Sequence, residues 1–204
     1  EDEPTRLRIW EKAWKGYLRQ KMDPKGYWDS EQEEQRDFES FFFLLQSFLE
    51  DHPRLLELEV LGVEQFWHAD YPSAPLGIRA DLVGRYPDGT ITVLDWKSGK
   101  KPFFDKLPKF LENDSQMPVS ALVAAHVFKI TNPMVEIFYL FADFEHRAQF
   151  DDASLKGWEE YYRKLIARIN SETEWPAQKN KLCDWCATKA ICPAHGNADK
   201  RRPS

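Results

Sequence analysis

The chain has 204 residues, of which 42% are hydrophobic and 30% charged, and its formal net charge is −6. A chain of this length and composition can bury one good core, which makes a single soluble globular domain over residues 1–204 the expectation and excludes fibrous or disordered classes. The acidic balance excludes a uniformly basic nucleic-acid coat while leaving room for a local basic groove, and no apolar run approaches the length of a membrane-spanning helix.

Residues 5–20 have helical composition, with Leu7, Trp10, Trp14, Tyr17 and Leu18 at i, i+3, i+4 spacing. Residues 22–30, holding Pro24 and Gly26, form a connection. A second helix is predicted to start at Ser30, whose hydroxyl can cap it, with Glu31, Glu33 and Glu34 favourable in the first turn. Its half over residues 38–49 is strongly apolar and belongs on the core, and His52-Pro53 ends it. The acidic stretch 29–39 should face away from any DNA.

Residues 55–67 read as a strand in which Glu64 is an acidic residue among apolar ones. The next stretch, residues 77–101, reads as a β-hairpin: two runs rich in β-branched and apolar residues, 78–86 and 90–96, flank Pro87-Asp88-Gly89. A three-residue hairpin loop commonly puts its third residue in the left-handed region, where Gly89 is the cheapest occupant. In a register symmetric about Asp88, Asp81 faces Asp95, and Lys97 projects from the same side. Like charges directly opposed on paired strands are destabilising. A bound Mg²⁺ or Mn²⁺ would remove the conflict, with Asp81 and Asp95 as ligands and Lys97 placed to orient water or hold phosphate. The competing reading is a solvated Asp81–Lys97–Asp95 ion cluster. Leu82, Val83, Val93, Leu94 and Trp96 make both hairpin faces apolar, which predicts a central place in a covered sheet.

Lys100, Lys101, Lys106 and Lys109 follow the hairpin and form a basic patch suited to DNA phosphates, although a solvated loop has the same composition. Asp114 or Ser115 opens a helix that runs to Lys129, with Pro118 in its first turn. Residues 134–144 are an apolar strand and 146–150 a short antiparallel return. Asp151 or Asp152 then caps a long helix to about residue 170.

Cys183, Cys186 and Cys192, followed by Pro193, have a C-x₂-C-x₅-C spacing that can converge on one metal centre. Zinc is an alternative, with His195 as a fourth ligand, and buried free thiols are the bland one. Three clustered cysteines do not resemble a secreted disulfide framework, and the polar start Glu1-Asp2-Glu3 is not a signal peptide, so a cytoplasmic location is expected.

Asp81 with Asp95-Trp96-Lys97, a Gly-led strand before them and Ser98-Gly99 after, resembles the PD-(D/E)XK nuclease signature. The resemblance is closest to the RecB-like branch of helicase-associated exonucleases and CRISPR-adaptation nucleases. It implies a restriction-endonuclease-like α/β fold with a mixed central sheet flanked by helices. It further implies a metal-dependent DNA nuclease acting on ends or single strands in repair, recombination, phage or CRISPR processing, and a helicase or integrase as possible partner. By the same resemblance Glu64 and Gln116 support water and substrate, and Cys183, Cys186 and Cys192 hold a structural 4Fe–4S cluster with a fourth ligand from elsewhere. The family's Tyr, four residues after that Gln, is Ser120 here. Neither an upstream cysteine nor an upstream catalytic His is visible, so the N-terminal part of the family domain is expected to be absent. A module that grips DNA or a partner on a nuclease fold without cutting is the rival reading.

Overall fold

In the computed structural model, residues 3–18, 28–71, 75–97, 116–140 and 144–195 are described. They form two compact units, residues 1–160 and residues 161–204.

The first unit opens with helix α1 (Glu3–Ala13), which passes into a wider π-type turn over Trp14–Leu18. Helix α2 (Glu31–Asp51) starts where Ser30 caps it: the Ser30 hydroxyl accepts the Glu33 N–H at 3.2 Å. Trp10 of α1 and Trp14 of the π-type turn meet Phe38 of α2, and Trp14 Nε1 donates to Glu34. Pro53 starts a 3₁₀ segment, Pro53–Glu57, so the following strand begins later than its apolar run.

Strand β1 (Glu59–Asp70), β2 (Pro75–Arg85), β3 (Ile91–Lys97), β4 (Met134–Tyr139) and β5 (Phe144–Gln149) make one sheet in that spatial order. β1, β2 and β3 pair antiparallel, β3 and β4 parallel, and β4 and β5 antiparallel, so the sheet is mixed. The parallel crossover between β3 and β4 contains helix α3 (Gln116–Phe128), which carries Pro118 in its first turn, where the missing N–H costs nothing.

The hairpin has the symmetric register its turn predicts, with Leu82 opposite Leu94 and Val83 opposite Val93. Gly89 takes φ +86°, and its N–H closes the turn on Tyr86 O at 2.9 Å. β3 is the central strand and is buried on both faces. Leu94 packs with Phe48 of α2 and Phe138 of β4, and Val93 lies with Val123 and Ala124 of α3. Thus α2 covers one face and α3 the other.

A buried polar cluster joins α2's exit to the sheet. Glu136 of β4, wholly buried, accepts from Arg54, from the Tyr86 hydroxyl at 2.7 Å and from the Thr92 hydroxyl at 2.8 Å. Arg54 also pairs with Glu145 of β5. Burial, with the Glu136 bond adding to it, pushes the Tyr86 hydroxyl pKa far up.

Helix α4 (Asp152–Ser171) is capped by Asp151, whose carboxylate accepts the Ser154 N–H at 2.8 Å. In the second unit, an exposed segment follows, then three short 3₁₀ turns, Lys181–Trp185, Lys189–Ile191 and Pro193–His195. No helix among the described residues is long and apolar enough to cross a membrane.

Candidate active site

The site lies where β2 and β3 part. Their ladder runs from the turn to Leu82 and Leu94 and stops one pair before Asp81 and Asp95. Asp81 and Asp95 are therefore neighbours in register without the direct ladder pairing that a regular hairpin predicts. The reason is local: the Asp81 side chain accepts the Trp96 N–H, through Oδ2 at 2.7 Å. The Trp96 side chain sits on the α2 face, stacked on Phe138 and edge-on to Phe48.

Asp95 points to the opposite face, under α3. Gln116, the first residue of α3, donates from Nε2 to Asp95 Oδ1 at 2.6 Å and accepts from Lys97 Nζ at 3.0 Å. Lys97 Nζ also meets Asp95 Oδ2 at 2.5 Å. That second contact is one of charge, because Asp95 Oδ2 is buried and makes no hydrogen bond of proper direction. Asp95, Lys97 and Gln116 thus form one closed triangle.

Glu64 lies on β1 between Val63, opposite Leu82, and Gln65, opposite Ala80, which places it level with Asp81. Its backbone has φ +50°, a left-handed conformation that costs a non-glycine residue about 1–2 kcal/mol. The exposed Glu64 carboxylate accepts from Arg79 Nε at 3.1 Å. Burial raises the Asp81 pKa, and the Asp95 and Glu64 carboxylates raise it further, against the Trp96 N–H and Lys97.

Asp95 and Gln116 face a cleft of about 290 Å³, which is lined also by Gly77, Arg79 and Ser120. Ser120, one turn after Gln116, is buried in its wall in place of a tyrosine. Sequence reasoning missed Arg79, although its place two residues before Asp81 on an alternating strand was a usable signal. Lys100, Lys101, Lys106 and Lys109 lie outside the described residues, as do Asp114 and Ser115.

A hard divalent cation suits the Asp81–Asp95 pair. One oxygen of Asp95 is buried without a directed bond, and Asp81 carries a carboxylate charge disfavoured by two like neighbours. The cysteines behave differently. Among the described residues no three His, Cys, Asp or Glu side chains converge as a metal-binding group. Cys183, Cys186 and Cys192, expected at one centre with His195 as a possible fourth ligand, are not gathered into such a group among the described residues. Two of the thiols have local partners: Cys183 Sγ accepts from Asn180 N at 3.3 Å, and Cys186 Sγ lies 3.2 Å from the Thr188 hydroxyl. That contact lowers the Cys186 pKa. No step is derived through an iron–sulfur cluster or a zinc ion at these cysteines.

A mixed five-stranded sheet covered by helices, with acids gathered where its middle strands part, defines the restriction-endonuclease-like α/β class. The family model described as "PD-(D/E)XK nuclease superfamily" matches residues 1–193, and the chain belongs to that superfamily. Its members are generally nucleases. No curated protein matches it. Among solved structures it is similar to "Crystal structure of SSO0001", at 16% identity and TM-score 0.40, covering 94% of this chain and 82% of the other.

Proposed function

We propose that the chain is a metal-dependent deoxyribonuclease of the RecB-like branch, working as an exonuclease on DNA ends or single strands. The observation that carries this reading is the triangle of Asp95, Lys97 and Gln116 beside Asp81. Asp81 and Asp95 would hold Mg²⁺ or Mn²⁺. Such an ion, when bound, supplies Lewis acidity and a more acidic water.

The side chains do the rest. Gln116 bonds both the Asp95 carboxylate and the Lys97 ammonium, so neither has to be ordered when substrate arrives. Lys97 holds or orients water at the phosphorus and offsets charge that develops on the phosphate oxygens. Glu64 supports the substrate side of the site. A DNA substrate also suits the uneven charge of the chain. Residues 161–204 carry nine Lys and Arg against four Asp and Glu, although the whole chain has net charge −6.

The test compares end-labelled linear single-stranded DNA with a covalently closed single-stranded circle, each incubated with the chain and Mn²⁺. An exonuclease shortens the linear strand and spares the circle. Degradation of both would select an endonuclease. Retained binding without degradation of either would select the non-cleaving module and sink the enzymatic reading.

A further inference from the structure

We propose that Arg79, held in place by Glu64, grips a phosphate of the strand lying in the cleft, and that Glu64 serves the site through Arg79. The inference rests on the nuclease reading and adds a residue to it. Of the described residues that line the cleft, Arg79 is the one cation, and it shares that wall with Asp95 and Gln116. Lys97 is already engaged by Asp95 and Gln116. A polyanion approaching Glu64, Asp81 and Asp95 meets three carboxylates, and an offsetting charge on the cleft wall is needed for it to settle there.

The geometry of the pair suits that role. Arg79 donates to Glu64 through Nε, at 3.1 Å, and its side chain is 70% exposed. A guanidinium held by Nε keeps both Nη groups available as a fork that matches two phosphate oxygens. The pair is a poor device for stability. Exposed ion pairs contribute little, and the Glu64 backbone sits in a left-handed conformation that is unfavourable for a residue with a side chain. Strain spent on aiming a carboxylate at an exposed arginine is explained when the arginine has a task. Glu64 is accordingly a positioning residue, and Arg79 is the group that touches DNA.

The experiment measures binding of a fluorescein-labelled oligothymidylate by anisotropy, in EDTA so that no strand is cut, over a series of KCl concentrations. Arg79→Gln should weaken binding about tenfold at low salt. It should also reduce the slope of log K against log salt by about 0.7, the share of one single-strand phosphate contact. Arg79→Lys keeps the charge and should recover the slope while losing part of the affinity. Glu64→Ala should weaken binding in the parent chain and have no further effect once Arg79 is Gln, because the two residues act as one unit. In steady-state cleavage with Mn²⁺, both single variants should raise KM more than they lower kcat.

An unchanged affinity and slope in Arg79→Gln, additive effects of the two substitutions, or no binding by the parent chain would each overturn the inference. The nuclease reading stands or falls separately, on cleavage in Mn²⁺, because the binding measurement involves no cleavage.

Discussion

Asp81 and Trp96 are joined side chain to main chain: the Asp81 carboxylate takes the Trp96 N–H at 2.7 Å. The bond ends the β2–β3 ladder just where the chain needs a gap. It also ties a residue of the site to the core, because the ring of Trp96 packs on Phe48 and Phe138. The hairpin is held shut by its turn and held open at its far end by one aspartate.

Asp81→Asn should abolish cleavage and make the fold more stable than the parent's at neutral pH. The amide oxygen can still accept the Trp96 N–H, and the variant loses a carboxylate that burial and two acidic neighbours disfavour. The pH dependence has a definite sign. A raised folded-state pKa means that the folded chain holds the Asp81 proton more tightly than the unfolded chain. This contribution to stability therefore grows as pH falls through the Asp81 pKa, and is complete below the unfolded value of about 3.9. Urea midpoints of parent and variant, taken in EDTA at neutral and acid pH, should converge on acidification. Divergence in favour of Asp81→Asn at acid pH would contradict the account.

Gln116→Ala takes the bridging amide from Lys97 and Asp95 and leaves their direct contact in place. Each loses a directed hydrogen-bond partner worth about 1.5–3 kcal/mol at a charged group. A share of about 1.4 kcal/mol felt only in the transition state slows cleavage about tenfold, and the remainder should appear as a loss of stability in urea unfolding. A single-turnover rate equal to the parent's would show that the triangle is structural.

Arg54→Leu tests the buried cluster on the α2 face. The change leaves the fully buried Glu136 with the Tyr86 and Thr92 hydroxyls and no cation. Removing one partner of a buried pair costs about 3–5 kcal/mol. Urea unfolding should show a loss of that order, and Arg54→Leu/Glu136→Leu should recover part of it. A loss within the range of an ordinary surface change, about 0.5 kcal/mol, would contradict the assignment.

Phe48→Ala removes the ring that meets both Trp96 and Phe138. A loss of about 3–5 kcal/mol is expected from the emptied core position. Because Trp96 anchors Asp81, the near-ultraviolet signal of tryptophan and the cleavage rate should fall together. Cleavage unaffected in a chain that remains folded would uncouple core from site.

What was legible in the sequence follows the physics of each element. The hairpin register was legible because Pro87-Asp88-Gly89 admits few turn geometries, and Gly89 takes the positive φ its position requires. The end of the ladder was not, since period-two alternation cannot foretell that a side chain will replace a backbone acceptor. The bend at Glu64 carried no signal either: a left-handed backbone is announced by glycine, and glutamate gives no warning. Glu136 read as part of an apolar strand because its partners Arg54, Tyr86 and Thr92 lie far away in the chain. Gln116 was legible only by resemblance to the nuclease signature; no property of an isolated glutamine places it between a lysine and an aspartate. The cysteine spacing was legible as a pattern, whereas the local partners of Cys183 and Cys186, Asn180 and Thr188, were not.

The measurement that bears most directly on the central claim is cleavage of end-labelled single-stranded DNA by the parent chain and by Asp95→Asn, each with Mn²⁺ and with EDTA. The account predicts cleavage by the parent in Mn²⁺ alone, and a loss of about a hundred- to a thousandfold in Asp95→Asn, on the scale expected when charge stabilisation of the transition state is removed. Equal cleavage by both chains, or cleavage by the parent that persists in EDTA, would contradict it.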